Sequence, residues 1–146
     1  MRRLILLDVN VLVYAHRRDA ERHAEYRAWL EGMLAAEQPY GISELVLSGV
    51  VRIVTHPKVF VQPTPLAEAI AFCDTLRSQP NATLLAPGPG HWQIFARLCT
   101  QAGARGNLVP DAYLAALAIE TGSEWITTDG DYRRFPGLRV RHPLEV

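Results

Sequence analysis

The chain has 146 residues, 49% of them hydrophobic and 21% charged, with a formal net charge of zero. This balance suits one globular unit able to bury a sizeable core; it excludes a disordered chain and gives no general electrostatic case for nucleic-acid binding. Cys73 and Cys99 fall in apolar helical patterns without CxxC spacing, so they read as buried thiols of a cytoplasmic protein and not as a zinc site or a disulfide.

Behind Met1, Arg2 and Arg3, the apolar run at 4–7 reads as a buried strand. Asp8 interrupts it too early for the core of a signal peptide, and no later run has the length of a membrane span. A short helix is expected at 10–15 and an amphipathic helix at 19–34, followed by a second strand at 40–42. Helical spacing over 44–54 ends at His56-Pro57. Thr64, Pro65 and Glu68 have the spacing of a capped helix start, predicting a helix at 65–78 with Thr64 as its cap. A strand at 82–85 precedes Pro87-Gly88-Pro89-Gly90, a turn that lacks the Lys and Ser/Thr of a phosphate loop. Helices at 92–102 and 110–121 stop at Gly103 and Gly122, and strands at 124–127 and 138–140 close the chain. Alternating strands and helices without repeat or linker predict a single domain over 1–146. Its fold class is α/β, a three-layer α/β/α sandwich around a central, mainly parallel sheet.

On this layout Asp8, Glu44, Asp111 and Asp129 all stand where a strand ends or a helix begins. In open parallel sheets those ends share the ligand-binding edge. Each acid has a structural explanation when taken alone, as a cap, a first-turn residue or part of an Asp-Gly turn. Together they form a candidate metal site, because two carboxylates about 5 Å apart repel by roughly 3 kcal/mol at an effective dielectric near 20. A divalent cation relieves that repulsion, and an all-oxygen set selects Mg²⁺, with Mn²⁺ as a substitute, over zinc. Asn10 and Asp131 are candidate supporting oxygens, with Asp131 competing with Asp129. Thr127 or Thr128 is positioned to orient Asp129. The five histidines show no ligand spacing, and the pairs Arg17-Arg18 and Arg133-Arg134 read as solvated surface. Trp29, Met33, Leu47, Val50 and Val51, on 19–34 and 44–54, offer either core or a partner-binding face.

The series LLDVNVLV at 6–13, Ser43-Glu44, PDAYLAA at 110–116 and TTDGDY at 127–132 resembles the ordered motifs of PIN-domain ribonucleases, over the whole chain. Within that family it is similar to the VapC toxins of type II toxin-antitoxin modules, in particular the mycobacterial-type group. The resemblance implies a cytoplasmic, metal-dependent endoribonuclease that forms homodimers and is blocked by a cognate VapB antitoxin. Carried over by position, Asp8, Glu44, Asp111 and Asp129 match its acidic tetrad, Asn10 the polar residue beside the first acid, and Asn107 a residue that shapes the site. The RNA target is not written in any motif. Two alternatives stand beside it: a PIN-like module that binds RNA or a partner without catalysis, and a haloacid-dehalogenase-type phosphatase. The phosphatase requires an Asp where Asn10 stands and a Lys that only Lys58 could supply.

Overall fold

The computed structural model describes residues 3–145; the Met1 and Arg2 of the sequence reading, and Val146, lie outside the described residues. Strands β1 (Ile5–Leu7), β2 (Tyr40–Ile42), β3 (Ala82–Leu84), β4 (Glu124–Ile126) and β5 (Val140–Arg141) form one sheet in the order β3-β2-β1-β4-β5. Every neighbouring pair is parallel, so the sheet is wholly rather than mainly parallel. The chain leaves β1 toward β2 and β3, then returns past β1 to place β4 on its other side. The order therefore reverses between β1 and β4, where an open α/β sheet leaves a crevice at its carboxyl edge.

Among the described residues six α-helices complete the three-layer α/β/α sandwich: α1 (Val9–His16), α2 (His23–Ala35), α3 (Glu44–Val54), α4 (Leu66–Arg77), α5 (His91–Ala102) and α6 (Leu108–Thr121). Helix α1 packs on α2 and α3, α3 packs on α4, and α5 packs on α6. Strands β1 and β4 supply fully buried Leu6, Leu7, Trp125 and Ile126, and α6 presents Ala112, Ala115, Ala116 and Ala118 to the same core. Small side chains let that helix approach closely, which brings its first turn to the edge of the crevice.

Two helix starts differ from the sequence expectation. Helix α2 begins at His23 and not near Asp19, because Arg22 adopts a left-handed backbone (φ 60°) that cannot continue a helix. Helix α4 begins at Leu66 behind Pro65, and Thr64 does not cap it. The Thr64 hydroxyl instead meets Arg17 Nη1 at 3.2 Å and His16 Nε2 at 3.1 Å, tying the end of α1 to the loop. The glycine-proline turn is fixed from α6, whose Glu120 carboxylate accepts from the backbone N–H of Gly88 (2.7 Å) and Gly90 (2.9 Å). Of the side chains read as a partner face, Leu47 and Val50 are buried, and Trp29, Met33 and Val51 pack against the core. Leu47 and Val50 thus serve the core, whereas half-buried Trp29 and Met33 also line an open groove beside Tyr40.

Candidate active site

At the carboxyl end of β1, the Asp8 backbone continues the ladder by donating to the Ile126 carbonyl at 2.9 Å. Its side chain then caps α1, accepting from Val9 N–H at 2.7 Å through Oδ1. The second oxygen, Oδ2, accepts from the Thr127 hydroxyl at 2.7 Å across the gap from β1 to the end of β4. Thr127 also accepts from Asn10 Nδ2 (3.3 Å) and from Asp129 N–H (3.0 Å), so its one proton and two lone pairs are all engaged. Asn10 completes the link by accepting from Thr128 N–H at 3.2 Å. The alternative left open between the two threonines is thus decided for Thr127. The hydroxyl holds Asp8 and the backbone of Asp129, while Thr128 contributes its backbone N–H.

Asp111 enters from the first turn of α6, where the Tyr132 hydroxyl donates to its Oδ1 at 3.0 Å. Asp129 precedes a 3-10 turn, Gly130–Arg134, and accepts from Asp131 N–H at 2.9 Å. Asp8, Asp111 and Asp129 line one cleft of about 540 Å³, together with Asn10, Tyr14, Gly49, Arg52, Phe60 and Tyr132. Burial pushes the Asp8 carboxyl up to about 6, against the lowering effect of its two hydrogen bonds, and the charges of Asp111 and Asp129 raise it further. Asp111 is also raised, chiefly by burial and despite the Tyr132 hydrogen bond, with Asp129 adding to the effect.

Glu44, expected in this set, does not line the cleft in this structure. Its side chain is 66% exposed and pairs with Arg77 Nη2 at 2.9 Å, at the end of α4. Helix α3 turns Val46, Leu47, Val50 and Val54 into the core, and it meets the cleft through Gly49, Arg52 and Ile53. At 100° per residue, Glu44 stands about 140° around the helix from Gly49 and more than a turn away. Asp131 also lies off the cleft: its carboxylate is 77% exposed and 4.0 Å from Arg134, and only its backbone reaches Asp129. Asn107 is exposed ahead of α6, makes no side-chain cap and does not line the cleft.

Residues 5–138 match the family of the PIN domain. The chain belongs to the PIN-domain family. VapC ribonuclease Mb2897 of Mycobacterium bovis is 43% identical to it over 142 residues, 97% of either chain. Ribonuclease VapC25 of Mycobacterium tuberculosis is 38% identical and matched over its whole length, covering 97% of this chain. Among solved structures, VapBC2 from Rickettsia felis bound to a promoter DNA fragment superposes with a TM-score of 0.70 at 20% identity, covering 95% of this chain and 98% of that one. Mycobacterium tuberculosis VapC20, a sarcin-ricin loop cleaving toxin, gives 0.63 at 16% identity, covering 92% and 98%. At those identities the two structures bear on the fold alone.

In this PIN domain the residue that sequence reasoning missed is Tyr132. It is buried, packs its ring on Trp125 and Phe135 at centroid distances of 5.4 and 6.0 Å, and fixes Asp111 from below. Its signal was present in the TTDGDY run, as the one aromatic beside the last acids. Whether the PIN cleft fits a cation is answered by its donor chemistry: carboxylate oxygens, one of them strongly desolvated and repelled by the others. Among the described residues no three His, Cys, Asp or Glu side chains stand close enough to enclose an ion.

Proposed function

We propose that this PIN-domain chain is the toxin of a type II toxin-antitoxin pair, a Mg²⁺-dependent endoribonuclease of the cytoplasm. In this reading it works as a homodimer and is inhibited by a cognate VapB-type antitoxin. The observation that carries the reading is the meeting of Asp8, Asp111 and Asp129 in one cleft at the β1/β4 reversal, in a chain 43% identical to a VapC ribonuclease. Mn²⁺ is the expected substitute for Mg²⁺.

Asp8 and Asp111 are the residues that would hold the cation, with Asp129 beside them, and a bound divalent ion supplies Lewis acidity and an acidified water for phosphodiester hydrolysis. The chain's own part is preorganisation. Thr127 and Val9 lock Asp8 by both oxygens, Tyr132 holds one oxygen of Asp111, and the Asp131 backbone holds one oxygen of Asp129. Each carboxylate thereby keeps its direction without rearranging when RNA arrives. The test is cleavage of single-stranded and structured RNAs by the purified chain in Mg²⁺ and in EDTA, with and without the product of any small adjacent reading frame. Cleavage that persists undiminished in EDTA would remove the metal-dependent mechanism.

A further inference from the structure

Helix α3 brings a cation, and no carboxylate, to the cleft. Arg52 lines the acidic cavity and also a second one beside it, of about 530 Å³, walled by Leu45, Phe95, Val109, Pro110 and Tyr113. Gly49 and Leu114 likewise border both cavities, so the two adjoin and Arg52 stands at the wall between them. Among the described residues the Arg52 guanidinium forms no ion pair and no side-chain hydrogen bond, unlike Arg17, Arg22, Arg27, Arg77 and Arg141. Its charge is free for an incoming anion.

A single-stranded nucleotide is an anion joined to a flat, largely apolar base, and the surface here offers the complementary pair. A guanidinium takes phosphate oxygens by two parallel hydrogen bonds. The groove next to it has aromatic side chains, Phe95 and Tyr113, of the kind on which unpaired bases rest. The carboxylates cannot receive a phosphate without a cation, so a chain laid across both cavities passes Arg52 as it leaves the acidic one. We propose that Arg52 binds a phosphate adjacent to the scissile one and directs the flanking base of single-stranded RNA into the Leu45–Tyr113 groove. The inference rests on the endoribonuclease reading for the word scissile; the contact with RNA is testable without it.

The experiment measures binding of a fluorescein-labelled, mixed-sequence single-stranded RNA to Asp8→Asn protein with Arg52 intact, and to the same protein carrying Arg52→Gln or Arg52→Lys, across a salt series. Cleavage by otherwise wild-type protein is followed alongside. Arg52→Gln is expected to weaken binding about tenfold and to reduce the slope of log affinity against log salt by about 0.7, the loss of one phosphate contact on a single strand. Arg52→Lys should keep the slope and recover part of the affinity. In cleavage, Arg52→Gln should raise KM more than it lowers kcat. An unchanged affinity and salt slope in Arg52→Gln overturns the proposal, whether or not the wild type cleaves. A wild type that cleaves nothing, with the Arg52 effect on binding intact, overturns the ribonuclease reading and leaves Arg52 as an RNA contact.

Discussion

In the proposed reading Asp8 carries two opposed demands, since it would have to be ionised to hold a cation yet sits only 5% exposed beside two other acids. Its folded value of about 6 lies above the ordinary 3.8, so the native state binds this proton more tightly than the unfolded chain does. The stability linked to the proton is whole below about 4 and is lost as the pH rises through about 6. The loss is of order 3 kcal/mol at 1.36 kcal/mol per unit. Asp8→Asn keeps the shape and one acceptor oxygen, but loses the charge and one of the two hydrogen bonds that Asp8 accepts from Val9 and Thr127. In EDTA its melting temperature should gain several degrees on the wild type's between pH 4 and pH 8, as the wild type alone loses the stability linked to the Asp8 proton. Cleavage in Mg²⁺ should fall by about a hundredfold or more. A difference between the two melts that does not change from pH 4 to pH 8 would mean that burial of the Asp8 charge does not strain the apo fold. Tyr132→Phe tests the support of Asp111: ring packing is retained and one hydrogen bond to a carboxylate is lost. Cleavage should drop by about tenfold with the melt nearly unchanged. Glu44→Gln, by contrast, should cleave as the wild type does and shift stability by less than about 1 kcal/mol, the ordinary worth of an exposed ion pair such as Glu44–Arg77. A loss of cleavage with Glu44→Gln as deep as that with Asp8→Asn would restore it to the site.

Elements show where local signals suffice and where they do not. The strand at 40–42 and the stops at Gly103 and Gly122 could be read directly, because a buried run and left-handed glycine caps are local, whereas the strand expected at 82–85 forms over 82–84 with Thr83 and Leu84 exposed. Asp8, Asp111 and Asp129 were legible for a related reason: each lies within three residues of an element boundary at the carboxyl edge. Glu44 met the same criterion but does not line the cleft. Being first in a helix fixes height above the sheet but not the direction around the helix axis, and that direction follows from which face α3 buries. Thr64 failed in a similar way, since Arg17 and His16 arrive from 47 and 48 residues away. Close approach within the sheet gives the prediction at this scale. A Cβ on Gly41 of β2 would lie 2.5 Å from Leu85 Cδ1 and 3.0 Å from the Ile5 carbonyl oxygen. Leu85 can swing away but the β1 backbone cannot. Gly41→Ala should therefore cost about 1–3 kcal/mol in denaturant unfolding at unchanged slope. A neutral result would show that β1 and β2 separate easily.

For the whole molecule, the arrangement of the sheet decides which parts of the function survive partial opening. Strand β1 is paired with β2 and β4, and β4 with β1 and β5, so both strands that end in the acids are flanked on each side. The edges of the sheet are β3 and the two-residue β5. Local opening starts where neighbours are missing, and a strand with a partner on each side exchanges its amides last. Protons at Leu6, Leu7, Trp125 and Ile126 should therefore outlast those at Thr83 and Arg141 in native-state exchange. The carboxylate cluster hangs from the slowest-exchanging part of the chain. A molecule nicked or frayed at either margin should keep its reactive centre assembled, so that under limited proteolysis hydrolytic activity disappears later than full-length protein does.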